Sequence, residues 1–492
     1  MTKPLWTWQQ ILDALFFASG DGTPQAPITG VSIDTRSLQP GDMFIALKDV
    51  RDGHEFVTSA FKAGAAAALV GEHYVRQPGD GALIRCNKNY LRDQFGKDNR
   101  DCDPLLALEV LGTLARRRLA PDARVVAVTG SAGKTGTKEM LRACFNAVAP
   151  GRVHASEKSY NNHWGVPLTL ARMPADTMYG VFEIGMNHAG EIAALTRFVN
   201  PHAAIVTTVE SVHLEHFASV EAIADAKAEI FEGLVSGGTA IIKYASPHFD
   251  RLRVRAQIQA AKVVSFGLDA GAGVFAEKIG LSGEGSDIAA NVHGERIDFH
   301  IATPGRHIAE NALAVVAALH AVGADIEAAV LALATLPPPP GRGARVALRI
   351  GNGEALLIDE SYNANPASMR AALATLATVP RLRFPRRIVV LGDMLELGVT
   401  SPDLHRGLKD AVDDAGTDLF FACGPHMKSL YDCVPNAIKG HYAETASGLG
   451  DAIKSVLRAG DAVMIKGSNG MRLQSLAAAL QKQYAQGGNS HV

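Results

Sequence analysis

Apolar and polar positions alternate along the chain in blocks that predict three successive α/β units. From residue 103 onward, predicted helices alternate with short apolar strands such as "RVVAVTG", "GVFEIGM", "AAIVTTV" and "GTAIIKY". After residue 336 the same alternation returns with "ALLIDE", "RIVVLGD", "DLFFACG" and "AVMIKGS". Helix–strand alternation of this kind is typical of a parallel, doubly wound sheet. We therefore predict the α/β fold class, with a central parallel-sheet unit and a Rossmann-like C-terminal unit.

Two stretches of the chain interrupt this pattern and predict domain boundaries. The first hundred residues read as a smaller α/β unit, which ends in an irregular polar stretch from Gly79 to Asp103, predicted as a loop with an insertion at 87–100. Four consecutive prolines in "LPPPPGRGAR" cannot continue a helix and form a stiff connector. Because 492 residues exceed what one core supports, we predict domains at 1–102, 103–335 and 336–492.

Composition and charge argue against several classes of protein. The net charge of −2 offers no basic field for nucleic acid or a membrane surface. Five scattered cysteines without a C-x-x-C pair predict reduced thiols in a cytoplasmic protein. The first 20 residues lack a basic start and an unbroken apolar run, so we expect a helix there and no signal peptide. No stretch reaches the roughly 18 apolar residues of a membrane span.

The stretch "VVAVTGSAGKTGTKEM" predicts a phosphate-binding turn. An apolar strand enters a glycine turn, and Lys134 and Thr135 open a helix. Backbone N–H groups, the helix dipole and a lysine together bind phosphate, and a threonine hydroxyl can reach Mg²⁺. Val128 stands where the longer G-x-x-x-x-G-K-[ST] pattern has its first glycine, so only G-x-x-G-K-T from Gly130 remains. The alternative is an ordinary turn with a surface lysine.

Charged side chains follow two further central strands. "GVFEIGMNH" places Glu183 and His188 after one strand, and "AAIVTTVESVHLEH" places Glu210 and His213 after another. Ligands bind outside the carboxyl ends of parallel strands, and carboxylate and imidazole are plausible Mg²⁺ ligands there. Each residue taken singly is more often a loop residue without such a role. Together with the phosphate-binding turn, Glu183 and His213 are predicted metal ligands.

Lys227 lies at an unusual position in the predicted helix "EAIADAKAEIFEGL". Its neighbours three and four residues away are apolar, whereas the carboxylates are predicted on the solvent face: Glu221, Asp225, Glu229 and Glu232. One interpretation is a lysine that extends along the helix edge to water. The other is a buried amine with a lowered pKa, which adds CO₂ and becomes a carbamate able to bind Mg²⁺.

Further polar residues mark a crevice between the last two units. His307 and Asn311 share one face of a helix start in "GRHIAENALA", where capping and surface polarity are the alternative. Asp359, Asp393 and Lys466 each end a C-terminal strand, and a crevice between domains would collect them.

Seven motifs in this order resemble the Mur ligases of bacterial cell-wall synthesis over nearly the whole chain: "TGSAGKTGTKEM", "NNHWGVPLTL", "FEIGMNHAGEI", "HLEHFASVEAIADAKAEIF", "GRHIAENALA", "DESYNANPASM" and "KGSNGM". "FEIGMNHAGEI" and "DESYNANPASM" are most similar to the member that adds D-alanyl-D-alanine. The resemblance implies an ATP-dependent ligase of peptidoglycan synthesis, and so of cell shape and division. It would join D-alanyl-D-alanine to UDP-N-acetylmuramoyl-tripeptide through an acyl phosphate. We expect a monomer with no nucleic-acid partner.

The resemblance also implies residue roles. ATP would be bound by residues of the turn and of the C-terminal side: Gly130, Ser131, Ala132, Gly133, Lys134, Thr135, Gly136, Asn311, Arg342 and Asp359. Two Mg²⁺ ions would be held by Thr135, Glu183, His213 and a carbamoylated Lys227, which with Lys134 form the catalytic set. The N-terminal domain would bind UDP. Substrate contacts fall on Thr35, Arg36, His54, Asn161, Asn162, Asn363, Asn365 and Lys466.

Three alternatives share parts of this pattern. A folate-polyglutamate-type ligase would share the central unit, but the N-terminal unit of the UDP-binding type argues against it. The sister ligase that adds diaminopimelate is expected to carry an Asp-Asn-Pro-Arg motif, which this sequence lacks. A regulatory nucleotide-binding module would need neither His213, Lys227 nor Asp359.

Overall fold

The computed structural model describes residues 3–87, 103–157, 159–211, 214–259 and 261–485. Their strands form three sheets in succession along the chain, within residues 18–86, 124–301 and 344–466. The predicted α/β fold class with three sheets of mainly parallel strands is therefore confirmed, while the exact domain boundaries remain predictions. Within the described ranges, no helix is long and apolar enough to cross a membrane.

The N-terminal sheet has five strands in the order β1-β5-β4-β3-β2, and only β1 runs antiparallel to its neighbour. Its elements are α1 (Trp8–Ala14), β1 (Ala18–Asp21), β2 (Gly30–Ser32), β3 (Asp42–Ile45), α2 (Val57–Lys62), β4 (Ala67–Val70) and β5 (Ala82–Cys86). The loop prediction for 79–103 was wrong for β5, because its apolar side chains are buried in the sheet. The predicted insertion at 87–100 lies, apart from Asn87, outside the described residues.

The central sheet has nine strands in the order β14-β13-β12-β11-β10-β9-β6-β8-β7. Its strands are β6 (Arg124–Thr129), β7 (Val153–Ala155), β8 (Tyr179–Glu183), β9 (Ala203–Val206), β10 (Thr239–Lys243), β11 (Lys262–Gly267), β12 (Val274–Leu281), β13 (Ser286–Val292) and β14 (Glu295–Ile301). The helices that accompany it are α3 (Pro104–Arg117), α4 (Lys134–Val148), α5 (Gly165–Ala171), α6 (Glu191–Val199), α7 (Val220–Ala228), α8 (Phe249–Ile258), α9 (Arg306–Val322) and α10 (Ile326–Val330).

One edge of this sheet departs from the parallel pattern. Pairing is parallel from β7 through to β12, but β12, β13 and β14 pair antiparallel. In β14 buried and exposed residues alternate, as expected for a strand with one face in solvent. Along the chain these edge strands come between β11 and α9, and the sequence prediction did not contain them.

The C-terminal sheet has six strands in the order β15-β16-β20-β17-β18-β19, of which only β15 is antiparallel. The strands are β15 (Ala344–Ile350), β16 (Gly353–Glu360), β17 (Arg386–Gly392), β18 (Leu419–Cys423), β19 (Lys439–Ala443) and β20 (Asp461–Lys466). Its helices are α11 (Pro366–Ala377), α12 (Ser401–Arg406), α13 (Lys409–Asp414), α14 (Lys428–Cys433), α15 (Gly450–Val456) and α16 (Leu473–Gln483).

The N-terminal and central units share a hydrophobic core, whereas the C-terminal unit has its own. One continuous cluster of buried side chains runs from Trp6 through the N-terminal sheet to α8. The indole N–H of Trp6 donates to the Ala171 carbonyl at 2.8 Å, and the Arg118 guanidinium lies 3.9 Å from the Trp6 ring centre. Two separate clusters cover the two faces of the C-terminal sheet. The N-terminal unit is thus fixed on the central one by apolar packing.

The cysteines of the described residues are mostly buried. Cys86, Cys144 and Cys423 are buried, and Cys433 is exposed. Burial raises the pKa of Cys144 to about 12 and that of Cys423 to about 11. These two buried thiols are therefore protonated side chains of the core.

Candidate active site

The turn between β6 and α4, residues 130–135, has the backbone that its sequence predicts; we call it the phosphate loop. Gly130 and Gly133 adopt φ angles of 149° and 84°, which disfavour other residues. A Cβ atom on Gly130 would lie 1.9 Å from the Thr207 hydroxyl, and one on Gly133 would lie 2.7 Å from the Asn311 amide. Thr207 in turn donates its hydroxyl to the Ala132 carbonyl at 2.5 Å. The loop is therefore held tightly ahead of the 15-residue α4.

Lys134 places its amine at this loop. The amine donates to the Gly130 carbonyl at 2.6 Å. Burial lowers the pKa of Lys134, the Glu183 carboxylate opposes that shift, and the charge of Arg342 adds to it. A buried amine that bonds a neutral carbonyl is stabilised strongly when an anion binds beside it, so the geometry suits a phosphate.

Glu183 ends β8 with a buried carboxylate that two side chains hold. The Thr135 hydroxyl donates to Glu183 Oε2 at 2.8 Å, and the Asn161 amide donates to Oε1 at 2.8 Å. Glu183 is only 1% exposed. Three of the predicted residues, from three different elements, therefore meet at the mouth of the phosphate loop.

Lys227 lies buried in α7, as one of the two sequence interpretations predicted. It is 2% exposed, and none of the described residues forms a hydrogen bond or ion pair with its amine. Burial lowers the pKa of Lys227 well below that of an ordinary lysine, and the charge of Lys134 lowers it further. The alternative of an amine extended to water is wrong, because the side chain packs inside the unit.

The predicted metal ligand His213 falls outside the described residues. Among those described, no three His, Cys, Asp or Glu side chains form a cluster that could hold a metal ion. The predicted ligands that are described and adjacent are therefore Thr135 and Glu183.

A cleft of about 1120 Å³ opens between the phosphate loop and the C-terminal unit. Its C-terminal wall includes Arg342, Asn363, Asn365 and Lys466, as predicted. Lys466 is 3% exposed, and its amine donates to the Asn363 carbonyl at 2.9 Å. Burial lowers the pKa of Lys466. The nearby carboxylate of Glu360 opposes this lowering, and the charge of Arg342 adds to it.

Among the described residues that line the cleft, two hydrogen bonds join its walls. The Asn365 amide donates to the Ser131 carbonyl of the phosphate loop at 3.5 Å, while its oxygen caps α11 through the Ser368 N–H at 2.8 Å. The hydroxyls of Ser159 and Tyr362 lie 2.5 Å apart. The C-terminal unit is thus docked against the central one in this structure.

Other predicted residues lie along the same cleft. Asn311 backs the phosphate loop at Gly133, and His307 lies nearby on α9. Glu210 accepts a hydrogen bond from Thr208 at 2.7 Å and lines the cleft, as does His188. Asn162 lines it too, but its side-chain oxygen accepts the Gly165 N–H at 2.9 Å and caps the start of α5.

Two predicted C-terminal strand ends do not line the cleft. The Asp359 carboxylate accepts the Ser361 N–H at 3.1 Å and the Ser361 hydroxyl at 2.5 Å, and so closes its own turn. The Asp393 carboxylate accepts the Met427 N–H at 2.6 Å and stabilises the turn that follows β18. The prediction that the crevice collects these two carboxylates was wrong, because each is hydrogen-bonded within a turn.

The acidic face predicted for the Lys227 segment also needs correction. The α-helix ends at Ala228, and residues 229–233 form a 3-10 turn. Glu229 is 8% exposed, and its carboxylate accepts the N–H groups of Gly190 and Ala193 at 2.7 and 3.1 Å. It therefore caps the start of α6 and does not face solvent.

The predicted UDP-binding residues lie in the N-terminal unit, away from this cleft. Thr35 is half-buried, and the exposed Arg36 pairs with Asp34 at 2.6 Å. The His54 ring contacts Asp52 at 2.6 Å and accepts the Gly71 N–H at 2.8 Å.

Glu360 and Tyr362 are among the cleft residues that sequence reasoning missed. Glu360 follows Asp359 on β16 and lines the cleft, since successive strand residues point to opposite faces. Tyr362 lines it as well, and the Arg342 guanidinium lies 4.0 Å from its ring centre. Strand alternation indicated that Asp359 and Glu360 point apart, but not which of them faces a ligand.

Comparisons with known proteins agree with this geometry. Residues 128–319 match the Mur ligase middle domain, and residues 342–469 match the glutamate ligase domain of Mur ligases. The UDP-N-acetylmuramoyl-tripeptide–D-alanyl-D-alanine ligase of Escherichia coli is 35% identical, over 92% of this chain and 94% of that protein. The corresponding ligase of Rickettsia prowazekii is 31% identical, over 91% and 94%.

Solved structures give the same result. MurF from Acinetobacter baumannii superposes with a TM-score of 0.81 at 28% identity, covering 98% of this chain and all of that one. MurF from Thermotoga maritima, in complex with ADP, shares the fold with a TM-score of 0.72 at 22% identity, covering 93% and 98%. With this fold, this cleft and relatives more than 30% identical over most of their length, the chain belongs to the Mur ligase family.

Proposed function

We propose that the chain is an ATP-dependent ligase that joins D-alanyl-D-alanine to UDP-N-acetylmuramoyl-tripeptide and so forms the pentapeptide precursor of peptidoglycan. The observation that supports it most is one cleft that combines a phosphate loop, a buried carboxylate at its mouth and a basic C-terminal wall with Lys466. Relatives of that name cover almost the whole chain.

The reaction needs an activated carboxyl group. The terminal carboxylate of the tripeptide attacks the γ-phosphorus of ATP, and ADP leaves. The amine of D-alanyl-D-alanine then attacks the acyl phosphate carbonyl, inorganic phosphate leaves with the C–O bond electrons, and the amine proton passes to solvent. Alignment and charge neutralisation supply most of the catalysis in such transfers.

The chain's own cations suit this chemistry. The phosphate loop offers backbone N–H groups and the amine of Lys134 to the ATP phosphates, with Asn311 behind the loop. Arg342 approaches from the connector and Lys466 from the opposite wall. Negative charge that develops between the two walls would therefore meet fixed positive charge on both sides. Asp359, by contrast, would act through its turn.

The donors at the mouth of the phosphate loop fit Mg²⁺. The Thr135 hydroxyl and the Glu183 carboxylate are adjacent oxygen donors of the kind Mg²⁺ prefers. A bound Mg²⁺ would neutralise phosphate charge. We assign one ion to these two residues, and a second to His213 and Lys227.

Lys227 would bind metal only as a carbamate. Its lowered pKa favours the neutral amine, whose lone pair adds to CO₂; the N–C bond forms and one proton passes to solvent. The product is an anion with two oxygen donors. The positive charge of Lys134 favours that negative charge, whereas burial opposes it.

We assign the remaining substrate contacts by position. Asn161, which already bonds Glu183, and Asn162 line the channel for the acceptor tripeptide. Asn363, Asn365 and Lys466 on the opposite wall would receive the dipeptide. The UDP end would reach the N-terminal unit at Thr35, Arg36 and His54.

The decisive experiment measures phosphate release from ATP with UDP-N-acetylmuramoyl-tripeptide, with and without D-alanyl-D-alanine, and weighs the product. Release that depends on the dipeptide, with a pentapeptide product, is the expected result. ATP binding without release with either the lysine or the diaminopimelate tripeptide would refute the proposal. The substrates of the sister ligases would then be tested.

A further inference from the structure

Tyr362 contacts both walls of the cleft through separate parts of its side chain. Its hydroxyl lies 2.5 Å from the hydroxyl of Ser159, which belongs to the central unit two residues before Asn161. Tyr362 itself follows β16 in the C-terminal unit. This bond therefore joins the two walls, and it ends two residues before Asn161, which bonds Glu183.

The ring of Tyr362 carries a second interaction. The Arg342 guanidinium carbon lies 4.0 Å from the ring centre, within the range of a cation–π contact. The Tyr362 N–H donates to the Gly341 carbonyl at 3.0 Å, and a Cβ atom on Gly341 would lie 3.0 Å from the Tyr362 Cβ. The end of the proline connector is thus packed directly on this tyrosine.

Arg342 lines the cleft together with Lys134 of the phosphate loop and Lys466 of the C-terminal wall. Holding a long side chain with several rotamers in one position costs conformational entropy. Because the Tyr362 ring already holds Arg342 in place, less of this entropy is lost when the nucleotide binds.

We propose that Tyr362 is a positioning residue of the ligase reaction, whose hydroxyl docks the C-terminal unit on Ser159 and whose ring holds Arg342 toward the nucleotide. This inference rests on the proposed function, since its readouts are turnover and nucleotide affinity. The two roles are separable, because phenylalanine keeps the ring and loses the hydroxyl.

The docking role is tested by a double-mutant cycle on the full chain. Tyr362→Phe and Ser159→Ala each lower kcat/KM for dipeptide-dependent phosphate release by about 3- to 10-fold, the worth of one hydrogen bond. Because both remove the same bond, the double variant falls within about twofold of either single variant. The KM for ATP stays that of the wild type in all three.

The ring's role is tested by comparing Tyr362→Ala with Tyr362→Phe. The alanine variant raises the KM for ATP by about 5- to 20-fold because Arg342 loses its platform, and phenylalanine restores the wild-type value. Tyr431→Phe is the matched control, because its hydroxyl bonds the Gly440 carbonyl at 3.4 Å within the C-terminal unit and away from the cleft. It leaves both constants unchanged.

Two results overturn the inference. Losses that multiply in the double variant show that Ser159 and Tyr362 act independently. An equal KM for ATP in Tyr362→Ala and Tyr362→Phe shows that the ring does not hold Arg342. Failure of the wild-type chain to release phosphate is a different outcome, which refutes the proposed function instead.

Discussion

Thr135 donates its hydroxyl to the buried carboxylate of Glu183 at 2.8 Å, at the mouth of the phosphate loop. The other carboxylate oxygen accepts the amide of Asn161, also at 2.8 Å. The start of α4, the end of β8 and the channel wall therefore meet on one carboxylate. Its position is fixed before any ligand binds, which is the condition for strong electrostatic catalysis.

Replacing this carboxylate removes both the charge and the acceptor pair. In Glu183→Gln, the new amide donor meets the donors of Thr135 or Asn161, and the site loses its anionic oxygen. We expect kcat to fall by about 100-fold or more in the phosphate-release assay. Glu277→Gln, at an exposed position on β12, serves as the control and keeps wild-type turnover. Near-normal turnover of Glu183→Gln would remove Glu183 from the reaction.

Gly133→Ala tests the shape of the phosphate loop. The residue has a φ of 84°, and the added Cβ meets the Asn311 amide at 2.7 Å. The left-handed backbone alone costs about 1–2 kcal/mol for an L-residue, so ATP affinity measured by calorimetry falls at least 10-fold. Gly450→Ala, at the start of α15, adds a methyl group with its nearest atom at 4.0 Å and leaves ATP affinity intact.

Lys227→Ala separates a carbamate from a buried neutral amine. If Lys227 holds metal as a carbamate, alanine lowers ligation by about 100-fold or more, and added formate or acetate partly restores it. Labelled CO₂ gives a carbonyl resonance in wild-type protein that the variant lacks. Lys262→Ala, at an exposed position on β11, controls for loss of a lysine. Wild-type activity of Lys227→Ala would refute the carbamate.

His154 on β7 makes the stability of the fold depend on pH. Its Nε2 bonds the Thr169 carbonyl at 2.7 Å, and burial lowers the pKa of the imidazole to about 4. In the unfolded chain this imidazole protonates near pH 6.5, so between pH 6.5 and 4 the unfolded state binds more protons than the folded state. The free energy of unfolding therefore decreases as the pH is lowered from 6.5 to 4, by up to about 3 kcal/mol for this residue.

Urea unfolding at pH 7 and pH 5 measures this effect. His154→Phe should show a smaller loss of stability on acidification than the wild type. His202, whose pKa burial also lowers to about 4, retains its own share. His441→Phe, at an exposed position, should keep the wild-type dependence. Equal pH dependence in wild type and His154→Phe would contradict the assignment.

Local pattern predicted those parts of the site that depend on neighbouring residues in the chain. The strand, glycine turn and helix of the phosphate loop follow one another directly, and the apolar neighbours of Lys227 indicated burial as one of two interpretations. Glu229 was misplaced because its partners, Gly190 and Ala193, belong to a different helix.

Contacts between distant residues were beyond sequence reasoning. Ser159 and Tyr362 are separated by 203 residues, and neither shows a pattern that points to the other. The choice between Asp359 and Glu360 depends on which face of β16 meets the central unit, a property of docking and not of the strand. The antiparallel edge from β12 to β14 was missed because its half-exposed strands lack the apolar runs of the parallel ones.

The core shared by the N-terminal and central units has a mechanical consequence. Since one cluster of side chains spans both units, we expect them to move and unfold as a single body, which would fix the distance from the proposed UDP-binding residues to the phosphate loop in advance. The C-terminal unit, with its separate cores, is the second body. Bringing the reacting groups together would then need a single rigid-body movement, that of the C-terminal unit, rather than two. Heat should correspondingly unfold the molecule in two transitions, the larger belonging to the fused pair.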